Sequence, residues 1–317
     1  MALTTDQRRW LTNLLGAAVR LDEPMARHTY LRVGGPADAL VAPETLGQVH
    51  ALITGADNCG LAWMVVGDGT NLLVHDDGIR GLVIMLHRCA GRICMAQSGP
   101  ESVQIIAGAG VRLQTLCRAA IDQGLAGLTF ATGIPGTLGG AVVMNAGTPN
   151  GCMRDVVQAI TLLDARAGCH RLERRDLNFA YRHLRLPAPW SGRSCVIVEA
   201  RLRLYRSDSQ KLIEQARRLQ WQRQQTQPTE LASAGCFFKN PSTVLTAGRL
   251  IDMAGLKGSH VGDAVVSEKH ANFIVNQGRA RARDVWELAQ RVRRAVRSQF
   301  NIELEPEVQL VGFPQNT

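Results

Sequence analysis

Residues 123–153 carry no charged side chain and contain eight Gly and two Pro. Glycine reaches positive φ and lets a ligand approach the main chain closely. The stretch therefore reads either as tight turns between buried strands or as a cradle for a large cofactor. It is not a membrane span, because a backbone so interrupted would leave polar groups unpaired in lipid. Two further strings, Gly67-Asp68-Gly69 and Gly108-Ala109-Gly110, open like dinucleotide fingerprints, but Leu72 and Leu113 stand where the third glycine belongs. A Rossmann site is not expected, and no G-x-x-x-x-G-K-[ST] string is present. Short glycine turns remain, whose free N–H groups can bind phosphate as nests.

Other chemistry is poorly supported. The eight Cys, at 59, 89, 94, 117, 152, 169, 195 and 236, form no C-x-x-C pair and have no closely spaced His, so neither a metal site nor a redox dithiol is expected. They read as reduced thiols, mostly small buried side chains. No nucleophile elbow, H-E-x-x-H string or internal repeat is present. A formal charge of +9 favours anionic partners without choosing among them. Only four of the 36 cations are Lys (Lys211, Lys239, Lys257 and Lys269), so a Lys inside a motif stands out.

The elements that must position these residues follow from periodicity. With 317 residues, 45% of them apolar, the chain is long enough for two domains. Trp10, Leu11, Leu14, Leu15, Ala18 and Val19 recur at helical spacing, predicting an amphipathic surface helix over 5–20 and no export signal. Residues 62–66, 72–74, 83–86 and 103–107 read as strands. Leu212, Ile213, Ala216 and Leu219 mark a helix that runs out before Pro228, and the change of character places a domain boundary near 205. A short helix over 251–256 and a strand within 265–275 follow. Val285, Leu288, Ala289, Val292 and Val296 form another helix face, with Arg291, Arg293, Arg294 and Arg297 opposite, which reads as a solvated face. Ile302, Leu304, Val308 and Leu310 then share one strand face, leaving Glu303, Glu305 and Glu307 on the other.

Eight strings occur in series: Thr29-Tyr-Leu-Arg-Val-Gly-Gly35, Gly67-Asp-Gly-Thr-Asn-Leu-Leu-Val74, Gly133-Ile-Pro-Gly-Thr-Leu-Gly-Gly-Ala-Val142 with Met144-Asn-Ala-Gly147, Tyr181-Arg182, Gly235-Cys-Phe-Phe-Lys-Asn-Pro241, Ala254-Gly-Leu-Lys-Gly258, Lys269-His-Ala-Asn-Phe-Ile-Val-Asn276 and Glu305-Pro-Glu-Val308. Together, over about residues 27–312, they make the chain resemble the UDP-N-acetylenolpyruvoylglucosamine reductase family. The resemblance implies an α+β protein: an FAD-binding domain of the p-cresol methylhydroxylase type over 1–205, with subdomains at about 21–87 and 88–205, then an α+β substrate-binding domain over 206–317. It implies reduction of the enolpyruvyl ether of UDP-N-acetylglucosamine to UDP-N-acetylmuramate in peptidoglycan synthesis, with FAD as cofactor and NADPH as reductant. The missing export signal predicts a cytoplasmic protein; no nucleic-acid partner, membrane insertion or metal is expected, and the enzyme is expected to act as a monomer.

Carried over residue by residue, the resemblance gives Gly67, Asp68, Gly69, Thr70, Asn71 and Leu72 to the cofactor pyrophosphate. Thr132, Gly133, Ile134, Pro135, Gly136, Gly139, Gly140 and Ala141 would lie along the flavin, and Arg223 would neutralise a phosphate. Tyr181, Asn240 and Lys257 would contact substrate, while Lys239 is equally well structural. Hydride addition to the terminal carbon of the enolpyruvyl group pushes negative charge onto the adjacent carbon and its carboxylate. A guanidinium stabilises that charge, because it stays protonated and can grip a carboxylate with two hydrogen bonds; Arg182 is the candidate. Glu307 would orient substrate or help polarise the same carboxylate. Cys236 stands where many relatives carry Ser; a thiol, with an ordinary pKa of about 8.5, is protonated at neutral pH and a far stronger acid than a hydroxyl, so it suits a general acid.

Leu184 and Thr148-Pro149 also depart from the family form. The short spacing from Arg182 to Cys236 resembles the class without an inserted tyrosine-bearing loop. Two competing readings make different demands. Another flavoenzyme of this fold, oxidising an alcohol or sugar, would turn over without NADPH and has no use for Arg182, Cys236 and Glu307. An anionic-surface or nucleic-acid binder would be colourless and salt-sensitive.

Overall fold

The computed structural model describes residues 2–191 and 193–314. Met1, Gly192 and residues 315–317, which fall inside the domain ranges above, lie outside the described residues.

Helix α1 (Thr5–Leu15) starts at Thr4, whose side chain accepts from Gln7 N while the Gln7 side chain accepts from Thr4 N. It is shorter than the predicted 5–20, because Gly16 turns to φ 53 and ends it. Val19 instead begins the edge strand Val19–Pro24 of a four-stranded sheet, in the order Val19–Pro24, Pro36–Val41, Ile79–Ile84, Trp63–Val65. Its last three strands are parallel, and the two inner ones, Pro36–Val41 and Ile79–Ile84, are buried on both faces, as crossover-linked strands require, while Trp63–Val65 is half-buried. Helices α1 and α2 (Leu46–Asn58) cover one face through Leu11, Leu15, Val49, Leu52 and Ile53; Met25, Leu72 and Val74 cover the other.

A second, antiparallel sheet is built on the long strand Cys195–Arg206, flanked by Val157–Asp164 and Ser102–Gly108. Alternate burial along 102–108 and 195–204 shows a sheet with one apolar face. Against that face pack α3 (Leu113–Asp122), α4 (Leu138–Val143) and the one-turn α5 (Met153–Val156), with Leu113, Leu116, Leu138 and Val142 fully buried. The uncharged stretch thus contains a helix as well as turns. Helix α6 (Ser209–Thr226) buries little of its own surface and lies against α3 and the turn at Thr129–Ala131, although the compositional boundary near 205 grouped it with the C-terminal part.

The C-terminal sheet runs Ala232–Cys236, Phe273–Asn276, Ala264–Val266, His260–Val261, backed by α7 (Ala247–Met253) and α8 (Ala282–Phe300). Residues 265–275 hold two antiparallel strands rather than one. In α8 the five predicted apolar positions are all buried. The predicted strand over 302–310 is a correction: only Gln309–Val311 is a strand, pairing in parallel with Leu72–Val74. Leu304 and Val308 are buried as expected, but the preceding segment is held by Phe237 and Lys239 instead of a ladder. Among the described residues no helix is long and apolar enough to cross a membrane.

Candidate active site

A cavity of about 680 Å³ opens where the two N-terminal sheets meet the C-terminal one. Gly67, Asp68, Gly69, Thr70, Asn71 and Leu72 line one wall, in the turn between Trp63–Val65 and Leu72–Val74. Gly133, Ile134, Pro135, Gly136, Gly139, Gly140 and Ala141 line another. The two glycine strings pack on each other. A Cβ on Gly67 would lie 2.4 Å from Thr137 Oγ1, and one on Gly136 3.0 Å from Thr70 Oγ1. Gly69, at φ 64, would drive a Cβ to 1.9 Å from the His28 carbonyl oxygen. These glycines are required by contacts within the chain. At Gly140 a Cβ would meet only Thr137 Oγ1, at 3.6 Å.

Arg223 reaches the same cavity from the last turn of α6 and lies across Gly133, its Cδ 3.1 Å from where a Cβ would stand. Burial lowers its pKa. Thr132, just before Gly133, is not in the lining, but its Oγ1 is buried with no hydrogen-bond partner.

Three of the predicted site residues converge at one end. Arg182 sits in the two-residue turn of the hairpin Asn178–Ala180/His183–Arg185, in a left-handed conformation at φ 55 that non-glycine residues seldom adopt. Its Nη1 donates to Gly147 O at 2.9 Å, and its Nε lies 2.8 Å from Glu307 Oε1. Glu307 is placed by its own N–H, which donates to Phe237 O at 2.8 Å, and by Asn71 Nδ2, which donates to Glu307 O at 3.1 Å. Because Phe237 follows Cys236, this register sets the carboxylate beside the thiol. Burial pushes the Glu307 carboxyl above its ordinary value, against the pull of Arg182 and Lys239. Burial, helped by the Glu307 charge, pushes the Cys236 thiol up to about 12, with Arg182 and Arg223 opposing. The thiol therefore holds its proton, and a neighbouring guanidinium and carboxyl face the same space.

The remaining predicted contacts divide. Asn240 lines the cavity, and its Oδ1 accepts from Ala247 N at the start of α7. Tyr181 is outside the lining and exposed, its ring 5.2 Å from the Arg182 guanidinium. Lys257 is also outside, 2.9 Å from Asp252. Lys239 is tied to Glu305. The cavity also takes in Tyr30, from the Thr29–Gly35 string, and Gln227, four residues after Arg223, together with His87, Gln114, Ser233 and Gln309, which no motif marks. Other lining residues have a local signal: Gly110 in the Gly108-Ala109-Gly110 string, and Met144, Gly147, Gly235 and Phe273 in the motif strings. A Cβ on Gly110 would collide with Leu86 O at 2.4 Å, so that glycine too is fixed by packing.

Comparison with known proteins agrees with this geometry. Residues 227–311 match the family model described as UDP-N-acetylenolpyruvoylglucosamine reductase, C-terminal domain, and residues 37–173 match an FAD binding domain. A UDP-N-acetylenolpyruvoylglucosamine reductase of Desulfosudis oleivorans is 47% identical over 312 residues, covering 96% of this chain and 98% of the relative. One from Moorella thermoacetica is 43% identical over 294 residues, with 93% of each chain covered. The crystal structure of the Thermus caldophilus reductase superimposes with a TM-score of 0.76 at 36% identity, covering 92% of this chain and 98% of that one.

Proposed function

This chain belongs to the UDP-N-acetylenolpyruvoylglucosamine reductase family, and from that premise we propose how its cavity performs the reaction. The enzyme uses FAD and NADPH to reduce the enolpyruvyl double bond of UDP-N-acetylglucosamine enolpyruvate, giving UDP-N-acetylmuramate for peptidoglycan synthesis.

The residues present suit FAD. Thr132 Oγ1 is a buried hydroxyl without a partner, Arg223 is a partly buried cation, and Gly140 leaves its side-chain direction almost free. Gly67–Leu72 would hold the pyrophosphate, Thr132–Ala141 would lie along the flavin, and Arg223 would neutralise a phosphate. When bound, FAD supplies the hydride that NADPH provides to it.

The chain's own groups do the rest. Arg182 grips the substrate carboxylate and stabilises the charge that develops there, a service a preorganised guanidinium performs best out of water. Glu307 holds Arg182 in place and, with its raised pKa, polarises the same carboxylate. Cys236 Sγ carries the proton that completes saturation at the neighbouring carbon. Asn240 faces substrate from the cavity wall; Lys257 reaches it only by leaving Asp252. A UDP-sugar and NADPH as reactants support a cytoplasmic site of action.

The observation that carries this assignment is the convergence of Arg182, Cys236 and Glu307 at one end of a cavity walled by both glycine strings. The test is anaerobic: load the protein with FAD, bleach it with NADPH, and add the enolpyruvyl nucleotide. Return of the flavin absorbance is expected; flavin that stays reduced overturns the assignment.

A further inference from the structure

Arg182 has no rigid element of its own. It occupies the tip of a hairpin whose two strands are three residues each, and its backbone is held left-handed. Its guanidinium nevertheless has to meet a substrate carboxylate at a fixed place relative to the glycine wall. Two atoms of one short segment meet that need. Asn145 Nδ2 donates to Ala180 O at 2.9 Å, at the base of the turn, and Gly147 O accepts from Arg182 Nη1 at 2.9 Å. The segment begins where α4 ends, so the wall that carries Gly139–Ala141 and the hairpin tip are joined through it.

Asn145 is built for this work. It is buried and itself left-handed, at φ 41, a conformation asparagine tolerates better than most residues. Its Oδ1 accepts from Arg154 N at 2.9 Å, which fixes which edge of the amide faces Ala180. The side chain thus touches neither the cavity nor any proposed reacting group, yet it spans three segments: the end of α4, the start of α5 and the Arg182 hairpin.

We propose that Asn145 is a positioning residue for Arg182, setting the guanidinium against the substrate carboxylate by holding the hairpin through Ala180 O. This rests on the role proposed above for Arg182. A displacement of about 1 Å at a reacting group can cost about 10²-fold in rate, so the effect falls on the half-reaction that uses Arg182.

The test compares the two half-reactions of the FAD-loaded protein by stopped flow, with a melting curve and a dissociation constant for the enolpyruvyl nucleotide on the oxidised protein. Asn145→Gly keeps the left-handed backbone and removes both side-chain bonds. Asn145→Asp keeps the acceptor for Arg154 N and removes the donor to Ala180, so it serves if the glycine variant does not fold. Expected for either is reoxidation by substrate slowed by at least about tenfold, weaker nucleotide binding, and reduction by NADPH unchanged within about twofold. In an Arg182→Ala background the same change should add less than about twofold, because two residues acting through one group are not additive. Equal slowing of both half-reactions, wild-type reoxidation, or a full extra loss in the Arg182→Ala background would each overturn the proposal. If Arg182→Ala alone leaves reoxidation intact, the role of Arg182 falls first and takes Asn145 with it.

Discussion

Arg182 Nε lies 2.8 Å from Glu307 Oε1, yet its N–H is not aligned on that oxygen, so a buried donor beside the carboxylate has no hydrogen-bond acceptor. The two groups are held by charge. An incoming carboxylate finds a guanidinium already fixed by Gly147 and Glu307. The same burial that brings the pair together raises the Glu307 carboxyl and, next to it, the Cys236 thiol.

Replacing Cys236 separates proton delivery from hydride supply. Cys236→Ser should retain measurable turnover, and Cys236→Ala should lose about 10²–10⁴-fold, the usual worth of a positioned acid. Reduction of the bound flavin by NADPH should survive both. An alanine variant with near-normal turnover removes Cys236 from the reaction.

The thiol also sets a pH dependence. Burial pushes its pKa up to about 12, above the range of about 8.5–9 for a solvated thiol, so the native state keeps a proton that the unfolded chain releases. The resulting stabilisation is complete below that range and is lost as pH rises toward about 12. Urea melts of the wild type and of Cys236→Ser should diverge across that window, the wild type losing more. Parallel curves would mean that the thiol is solvated.

Much of this was legible locally and some was not. The apolar stripe of α8 follows from spacing alone, since one face of that helix meets one sheet. Helix α1 ends early because a single residue, Gly16, takes a positive φ that no count of apolar residues reveals. The burial of Leu304 and Val308 was readable, but the absence of a strand there was not. Phe237 accepts from Glu307 N and Lys239 donates to Glu305 O, contacts across more than sixty positions of chain. Arg182, Cys236 and Glu307 were found through motif strings; their meeting depends on that same long-range register. The glycine strings read equally as tight turns or as a ligand cradle, and spacing does not reveal that Gly67, Gly69 and Gly136 each leave room for a neighbour within the chain, Thr137, His28 and Thr70.

Glu307 gives the opposite test, in which a charge is removed. Its raised carboxyl means that the native state binds the proton more tightly than the unfolded chain, whose value is near 4.5. Stability from this group is therefore full below 4.5 and declines as pH rises through the folded value. Glu307→Gln lacks that decline. Its melting temperature relative to wild type should rise with pH above 4.5 while turnover falls. A difference independent of pH would show that the carboxyl titrates normally.

The C-terminal part is fastened to the N-terminal sheets by Asp76, whose two oxygens accept from Ala282 N at 2.9 Å and Arg283 N at 3.1 Å, at the start of α8. Loss of such a cap costs about 1 kcal/mol. Asp76→Ala should show that loss in chemical denaturation, and Asp76→Asn less of it, because one oxygen remains to accept. No change in either would mean that water replaces the cap.

Two glycines in the cavity wall should respond to alanine in opposite ways. Gly69→Ala places a Cβ 1.9 Å from His28 O at φ 64, so the turn must move; a cost above about 1 kcal/mol is expected where the backbone is incompatible with a side chain. Gly140→Ala lies inside α4, with an ordinary 3.6 Å contact to Thr137 Oγ1. Removing a helical glycine should stabilise the flavin-free protein by about 0.4–1 kcal/mol. If the flavin lies along Gly139–Ala141, the added methyl occupies its space, and FAD retention on gel filtration should fall even as the melting temperature of the flavin-free protein rises. A Gly140→Ala protein that keeps its full complement of FAD would move the flavin off this wall.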